Sequence, residues 1–366
     1  MIQKNIFFFI GTTAELIKVF PIMRELDRQG RTYKVIASGQ NRLDKEIILK
    51  TGVNPVDIQL SNIDISQSVL GLFSWFFSTT LKSLFKLRTV FRQCHKKNSL
   101  LVIHGDTIST VMGAFLGTVF RLNIVHIEAG LRSYDFFNPF PEEIDRMLVS
   151  SLSDMHCCPN YWAMNNVKNK SGVKVNTIQN TLLDSLNFAL SLEDKSNLYK
   201  ELSRDDFFIF VFHRQENLFD EALLKTVFTK ILAYSKMNIK CLLIMHSPTE
   251  VALRKTKLLE SIQSQPNVRI TGRLSYFDFM NVLSISKFIV TDGGSNQEES
   301  YYFGKPCLIL RKATERNEGL DENASLSGLD MDKVDHFLIN YRLYNRDKVE
   351  LEQSPSNIII NAMLEE

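Results

Sequence analysis

The feature that most constrains the fold is an alternation of short, mainly apolar runs with helical patterns along most of the chain. The apolar runs are Ile6–Ile10, Lys34–Ser38, Leu100–His104, Asn123–Ile127, Phe207–Phe212, Lys240–Met245, Val268–Ile270, Phe288–Val290 and Pro306–Leu310. The helical patterns between them include Ala14–Gln29, Ile108–Phe120, Phe277–Ser286 and Asn296–Phe303. Strands that are apolar on both faces are typical of parallel sheets covered by helices on both sides. The sequence therefore predicts an α/β protein.

The length of 366 residues predicts two domains. A polar, mixed stretch at Leu192–Asp206 places the linker near residues 180–205. We predict a first domain at 1–185, a second domain at 186–340 and a terminal segment at 341–366. Parallel-sheet domains bind ligands at the carboxyl ends of their strands, so we expect the ligand in the cleft between the domains.

Charge and cysteine usage narrow the functional class. The 43 basic and 41 acidic residues give a net charge of +2, which argues against nucleic-acid binding but allows a local basic pocket for an anion. The five cysteines are odd in number and show no metal-ligand spacing, so we predict no metal and a reduced, cytoplasmic protein. The adjacent Cys157 and Cys158 fit a buried strand better than a disulfide. We expect no signal peptide, because neither a basic region nor a small-residue cleavage site comes before the first predicted strand.

The stretch Val69–Leu87 is rich in phenylalanine and leucine but is interrupted by serine, threonine and two lysines. A membrane span needs about 20 mostly apolar residues. We therefore predict an amphipathic helix packed on a sheet and no integral membrane segment. Its aromatic residues could still give a weak contact surface for a membrane or a partner.

Polar side chains follow the predicted strands of the first domain. Gly11 opens a helix whose free N–H groups form an anion site, with Lys18 about one turn inside, unless the turn is an ordinary capped one. Asp106 follows a strand, where it either caps the next helix or takes part in chemistry. With Glu128 and Glu142 it makes three carboxylates that we expect near one another, which suits general acid/base catalysis.

The second domain repeats this arrangement. His213 follows a strand and is a candidate acid, base or phosphate donor, with a purely structural role as the alternative. The turn Thr291–Glu299 is glycine-rich, and N–H groups at Gly294 and Ser295 fit a diphosphate. The two glutamates of that helix fit sugar or ribose hydroxyls, and Arg311 adds a cation.

Taken together, these motifs resemble the non-hydrolysing UDP-N-acetylglucosamine 2-epimerases, from Gly11 to about Leu320. The matching blocks are His104-Gly-Asp-Thr107, His126-Ile-Glu-Ala-Gly-Leu-Arg132, Pro141-Glu142-Glu143 with Arg146, Asn180-Thr181 with Asp184, His213-Arg-Gln-Glu-Asn217, Gln297-Glu-Glu299, Gly304-Lys-Pro306 and Thr314-Glu-Arg316. The resemblance implies two Rossmann-like domains in the GT-B arrangement, with the active site in the interdomain cleft. It also implies that the second domain, at 186–340, binds UDP and that a terminal helix at 341–366 crosses back to the first domain.

The resemblance further implies that UDP-GlcNAc and UDP-ManNAc interconvert by elimination and re-addition of UDP, for surface polysaccharide precursor synthesis. It implies a homodimer without a cofactor. The catalytic residues implied are Asp106, Glu128, Glu142 and His213, and which carboxylate removes the C2 proton stays open. The implied substrate contacts are Lys18, Arg146, Arg311, Gly294 and Ser295 for the diphosphate, Glu298 for the ribose and the loop Arg273–Tyr276 for the uracil.

The chain departs from the family pattern at three turns. Thr13-Ala14 stands where Arg-Pro is usual, so a cation near the diphosphate is missing. At the turn of the second domain this chain has Asp292-Gly-Gly-Ser295 where Asp-Ser-Gly-Gly is usual. Gly39-Gln40-Asn41 stands for Gly-Gln-His, which weakens the case for a second, allosteric substrate site. A glycosyltransferase of envelope polysaccharide synthesis and a hydrolysing epimerase that releases ManNAc and UDP therefore remain alternatives.

Overall fold

The computed structural model describes residues 4–62, 69–134, 141–237, 239–314 and 316–365. The chain divides into two compact units, each with its own sheet. The first comprises Met1–Ser185 together with Glu352–Glu366, and the second comprises Leu186–Leu351.

The first unit is built on a parallel sheet with, in the described residues, seven strands. They are β1 (Asn5–Ile10), β2 (Tyr33–Ala37), β3 (Ile58–Gln59), β4 (Ser99–His104), β5 (Asn123–Ile127), β6 (Met155–Cys158) and β7 (Val173–Asn176). Their order is β3-β2-β1-β4-β5-β6-β7. The direction of winding reverses between β1 and β4, and parallel sheets bind ligands at the carboxyl ends beside such a switch point.

Helices connect these strands. They are α1 (Thr13–Arg28), α2 (Lys45–Thr51), α3 (Val69–Arg88), α4 (Ile108–Val119), α5 (Glu142–Leu152), α6 (Tyr161–Asn166) and α7 (Leu182–Ser191). Capping residues set the helix starts at the switch point. The Thr12 side chain accepts from Glu15 N at 3.2 Å to begin α1, and Thr107 forms a capping box with Thr110 to begin α4.

The second unit has the same plan. Its described strands are β8 (Phe207–Val211), β9 (Lys240–Ile244), β10 (Val268–Thr271), β11 (Ile289–Thr291), β12 (Cys307–Ile309) and β13 (Ala324–Leu326). They are parallel, in the order β10-β9-β8-β11-β12-β13. Its helices are α8 (Asn197–Leu202), α9 (Gln215–Phe219), α10 (Glu221–Met237), α11 (Ser247–Lys255), α12 (Leu259–Gln263), α13 (Tyr276–Ile285), α14 (Gly294–Phe303) and α15 (Met331–Asn340), followed by a short 3-10 helix at Tyr341–Tyr344. The switch point here lies between β8 and β11.

The end of the chain packs on the first unit as helix α16 (Pro355–Leu364), which lies against α1. The N–H and the hydroxyl of Ser356 both donate to Asp184 Oδ2, at 2.8 and 2.6 Å. The terminal helix, expected at 341–366, therefore begins only at Pro355. Residues 341–344 form the 3-10 helix, and the chain up to Leu351 belongs to the second unit.

The α/β class with two parallel sheets is as predicted, and every strand expected from an apolar run is present within one residue of its expected bounds. The apolar-run pattern missed three short and largely half-buried strands, which are β3, β7 and β13. Strand β6 was expected only as a buried strand around Cys157 and Cys158. Cys157 and Cys158 are buried in β6, as expected. Residues 180–205, predicted as a linker, contain α7 and α8, because Ser196 caps α8 and Leu202 is buried.

The stretch at Val69–Leu87 is helical, as expected, and Trp75 and Leu87 anchor α3 in the core of the first unit. No helix in the described part of the chain is long and apolar enough to cross a membrane.

Candidate active site

The carboxyl ends of β4 and β5 place the predicted acidic residues at one edge of the first sheet. Asp106 follows β4 through Gly105, and Glu128 follows β5 directly. Glu128 has a φ of 62°, a left-handed conformation that costs a side chain other than glycine on the order of 1 kcal/mol or more and that clusters at functional sites. His126 supports the edge, because its Nε2 donates to Gly105 O at 2.8 Å; burial lowers the pKa of His126 to about 3, so the ring is neutral.

Glu128 is held between two nitrogen-bearing side chains. Lys18 Nζ lies 2.7 and 2.8 Å from its two carboxylate oxygens, and His104 Nε2 lies 2.9 Å from Oε2. All three side chains are less than a tenth exposed. Charged hydrogen bonds of this kind fix the direction of the carboxylate, which proton transfer to carbon requires.

Asp106 is bound by Arg146 of α5. Arg146 Nε donates to Asp106 Oδ2 at 2.8 Å, and a second guanidinium nitrogen lies 2.5 Å from the same oxygen. The alternative role of Asp106 as a helix cap is wrong, because Thr107 caps α4. Arg146, which the resemblance assigned to the diphosphate, is buried and reaches across to the residue that follows β4.

Glu143, for which the sequence predicted no role, orients Arg146. It is fully buried and accepts from Arg132 Nε, Arg146 and the Ser133 N–H. Burial acts to raise the pKa of Glu143, but the hydrogen bonds from Ser133 and Arg132 and the two guanidinium charges outweigh it and lower the pKa. Glu143 therefore positions Arg146, and Arg146 positions Asp106.

Asp145 is a second acidic residue that the sequence analysis missed. It is buried, and its Oδ2 has no hydrogen-bond partner in the part of the chain that the structure describes. Burial, together with the nearby charges of Asp106 and Glu142, raises the pKa of Asp145 to about 7. The electrostatic influence of both neighbours on Asp145 indicates that the predicted carboxylates Asp106 and Glu142 lie in one acidic region.

The turn after β1 is closed by its own helix. Glu15 Oε2 accepts from the Gly11 N–H at 2.6 Å, and Glu15 Oε1 accepts from the Thr107 hydroxyl at 2.7 Å. Burial raises the pKa of Glu15 despite these hydrogen bonds. A capped turn, the alternative to an anion site, thus describes Gly11, and Lys18 is the residue of this turn that reaches the acidic edge.

In the second unit, Asp292 organises the edge next to β8 and β11. Its carboxylate accepts from the backbone N–H groups of His213 and Arg214 and from Asn217 Nδ2, at 2.9 to 3.1 Å. His213 Nδ1 lies 3.2 Å from Asp292 Oδ1. Burial acts to raise the pKa of Asp292, but the interactions with His213 and the backbone donors lower it. The predicted His213 is therefore held in place by an acidic residue.

His213 also stacks on His246, with ring centroids 4.8 Å apart and planes at 23°. Burial and the charges of His213 and Arg273 lower the pKa of His246 to about 4, so this ring is neutral at physiological pH. The predicted uracil-loop residue Arg273 thus acts on His246 through its charge, and Arg273 itself is exposed.

The start of α14 brings the predicted diphosphate donors to this edge. In the described chain no side chain caps α14. Of its first two residues, Gly294 is half-buried and Ser295 is exposed. Gly293 precedes them, and a Cβ there would lie 3.1 Å from His213 Cε1. Backbone N–H groups at an uncapped helix start suit an anion. Arg311, partly exposed, follows β12 in the same unit.

Glu298, predicted to meet ribose hydroxyls, is fully buried. Its carboxylate accepts from Arg316 at 2.6 Å and from the Tyr302 hydroxyl at 3.3 Å. In this geometry the carboxylate of Glu298 is not accessible to a ribose, because it faces the interior and binds the Arg316 side chain. Glu315 of the matching Thr314–Arg316 block lies outside the described residues.

Tyr276, at the start of α13, has a buried hydroxyl with no hydrogen-bond partner in the described ranges. Burial and the charges of Glu299 and Glu298 raise the pKa of Tyr276 well above its usual value.

The four predicted catalytic residues are distributed over both units. Asp106, Glu128 and Glu142 belong to the first unit, and His213 belongs to the second.

The chain matches known proteins over nearly its whole length. The family model described as UDP-N-acetylglucosamine 2-epimerase matches residues 24–340. The UDP-N-acetylglucosamine 2-epimerase of Campylobacter jejuni is 29% identical over 335 residues, which cover 87% of this chain and 84% of that protein.

Solved structures agree with the sequence match. The Methanocaldococcus jannaschii UDP-GlcNAc 2-epimerase in complex with UDP-GlcNAc and UDP superposes with a TM-score of 0.76 at 26% identity, covering 98% of this chain and 99% of that one. The Neisseria meningitidis UDP-GlcNAc 2-epimerase bound to UDP-GlcNAc gives a TM-score of 0.78 at 26% identity, with the same coverage.

Proposed function

The chain belongs to the UDP-N-acetylglucosamine 2-epimerase family, and on that premise we propose that it is an isomerase that interconverts UDP-GlcNAc and UDP-ManNAc. The observation that carries the proposal is the acidic edge of the first sheet, where Asp106 and Glu128 are each oriented by a buried cation. The similar proteins with bound UDP-GlcNAc support the same substrate for this chain.

The reaction proposed is an elimination followed by an addition. A base removes the weakly acidic C2 proton while the C1–O bond to UDP breaks, which leaves a 2-acetamidoglucal and UDP. Reprotonation of C2 on the opposite face and re-addition of UDP at C1 then give the epimer. Because the same atoms are lost and regained, the step balances without a cofactor.

The first unit supplies the acid/base groups of this proposal. Asp106 and Glu128 are directed by Arg146 and Lys18, so each carboxylate presents a fixed oxygen to a substrate proton. Glu142 belongs to the same acidic region through its effect on Asp145. Which of the three removes the proton is decided by where C2 lies.

The second unit supplies the leaving-group contacts of this proposal. The N–H groups of Gly294 and Ser295, with Arg311, are suited to stabilise the diphosphate as its charge develops. His213, held by Asp292, is suited to donate a proton to the departing phosphate oxygen. Arg273 and Tyr276 are proposed for the uracil side, and Glu298 is given a positioning role through Arg316.

Proton NMR of the purified protein with UDP-GlcNAc in D₂O tests the proposal. Deuterium at C2 together with growing UDP-ManNAc anomeric signals is the expected result. Free ManNAc and UDP would show a hydrolysing enzyme instead. No exchange at C2 in a protein that still binds UDP would exclude epimerisation of this substrate.

We further propose that two copies associate through the outer faces of α4 and α5, which pack together. Their exposed apolar side chains are Phe115, Val119, Ile144, Met147 and Leu148. Several exposed apolar side chains on two helices that pack together are typical of an interface. Light scattering is expected to give a dimer mass for the natural chain and a monomer mass for Val119→Glu with Leu148→Glu; a natural chain that is monomeric would contradict this.

We place the reaction in the cytoplasm. All five cysteines are described and are free thiols, and the neighbours Cys157 and Cys158 are buried without a bond. Persistent free thiols are typical of a reducing compartment. A product formed there would be available for surface polysaccharide precursors.

A further inference from the structure

Helix α3 exposes a stripe of large apolar side chains. The α3 stripe consists of Leu70, Phe73, Phe77, Leu81 and Phe85, with exposures of 83, 39, 68, 59 and 73%. Spacings of three and four residues place them along one side of a helix. The opposite side carries Trp75 and Leu87, which are buried in the core. The helix is therefore already anchored, and the stripe is surplus to the fold.

The sequence around the stripe is strongly basic. Between Ile65 and Gly105 the chain has six lysines and arginines and no aspartate or glutamate. Since the whole chain carries +2, the remainder carries −4. Lys86 donates to Gln59 O, and Lys96 pairs with Asp154. The other four are Lys82, Arg88, Arg92 and Lys97, all exposed and, within the described ranges, in no ion pair.

We propose that the α3 stripe docks on the surface of an anionic phospholipid bilayer, with the helix lying parallel to that surface. A helix of 20 residues with one apolar side, phenylalanines on that side and cations beside it has the pattern of interfacial helices. Phenylalanine and leucine side chains enter the boundary between headgroups and acyl chains, while lysine and arginine reach the lipid phosphates. This binding surface is independent of the proposed epimerisation.

Charge favours a lipid surface over a second copy of this chain. An α3–α3 contact would bring together two segments that contain no acidic residue between 65 and 105, so the unpaired cations would gain no partner. An anionic bilayer instead supplies negative charge across the whole footprint of the helix. The apolar stripe and the cations then act together.

Flotation of the purified full chain with vesicles tests the proposal. We expect at least about tenfold more protein to float with phosphatidylcholine vesicles that contain phosphatidylglycerol than with phosphatidylcholine alone, and less at high salt. Phe77→Gln with Phe85→Gln should reduce binding at least about tenfold. The matched control is Phe219→Gln with Ile339→Gln, two side chains of equal exposure in the second unit, and it should bind like the natural chain.

Three results would overturn the proposal. One is the absence of flotation with anionic vesicles. Another is binding that Lys82→Gln with Arg88→Gln abolishes but the phenylalanine variant leaves unchanged, because that is adsorption by charge alone. The third is no lipid binding together with a phenylalanine variant that lowers the mass in light scattering, which would assign the stripe to contact between copies. Circular dichroism of each variant confirms the fold, which substitution of exposed side chains should preserve.

Discussion

Lys18 Nζ lies 2.7 Å from Oε1 and 2.8 Å from Oε2 of Glu128, although the two residues are 110 positions apart. From the sequence, Lys18 was expected about one turn inside the first helix and Glu128 at the end of a strand, with separate tasks: the lysine for a phosphate and the glutamate for proton transfer. Their pairing links the tasks, because movement of the ammonium toward an anionic substrate would release the carboxylate. Lys18 is thus part of what sets the orientation of Glu128.

A double-mutant cycle measures this pair. Lys18→Met should lower the free energy of unfolding by about 3 kcal/mol, because it leaves a buried carboxylate unpaired. The double variant Lys18→Met with Glu128→Gln should lose about 2 kcal/mol less free energy of unfolding than the two single variants lose in sum. Urea unfolding followed by tryptophan fluorescence reports this unit, since Trp75 and Trp162 both belong to it.

The exposed pair Glu46–Lys50 provides the control cycle. Its side chains are about a third exposed, and coupling there should stay near 0.3–0.5 kcal/mol. Equal coupling in the two cycles would mean that the Lys18–Glu128 contact is not formed in solution.

Asp106→Asn should lower the turnover of epimerisation by at least about a thousandfold while changing the affinity for UDP less than about threefold. The amide keeps the shape and can still accept from Arg146, but it cannot take up a proton from carbon. Deuterium incorporation at C2 and calorimetric titration with UDP give the two readouts. Glu250→Gln, which removes an exposed carboxylate on α11, is the matched control; normal turnover in Asp106→Asn would remove this residue from the mechanism.

The fold was largely predictable because it is repetitive and local. Most of the buried strands are mainly apolar runs, and several helix starts carry their own signal, such as the Thr12 and Thr107 caps. The missed strands, such as β7, are mostly half-exposed, so neither alternation nor hydrophobicity marks them. What makes β7 a strand is its pairing with β6, which is a tertiary property.

The site was predictable as a region but not as a set of contacts. Strand ends in a parallel sheet meet at one edge, which brings Asp106 and Glu128 near each other on principle. The adjacent Glu142 and Glu143 show the limit of this reasoning. They point about 100° apart around α5, and the choice of Glu143 to hold Arg132 and Arg146 depends on how α5 packs on its neighbours.

Asp145→Asn should change how stability depends on pH. The folded-state pKa of Asp145, about 7, lies above the ordinary 3.8, so the folded state binds this proton more tightly. The contribution to stability is complete below about pH 4 and is lost as the pH rises through about 7. The neutral asparagine has no such loss, and its advantage over the natural chain should grow by roughly 2 kcal/mol between about pH 5 and pH 8.

Urea unfolding by tryptophan fluorescence at the two pH values measures this difference. Glu46→Gln, on the exposed surface of α2, should run parallel to the natural chain at both. An Asp145→Asn difference that is constant with pH would show that Asp145 is ionised in the folded protein throughout this range.

Thr13→Arg should tighten UDP binding about tenfold, as a charged hydrogen bond to the diphosphate is worth about 1.5 kcal/mol or more. Thr13 is half-buried at the start of α1, and its hydroxyl accepts from the Asp44 N–H at 3.1 Å. Because any replacement loses that hydrogen bond, Thr13→Gln is the control, a polar side chain that can donate a hydrogen bond but carries no charge. Calorimetric titration at low and high salt should show tighter binding for arginine than for glutamine, with the gap narrowing as salt rises. Equal affinities would mean that a cation at position 13 does not contact the diphosphate and that the departure at Thr13 has no effect on the leaving group.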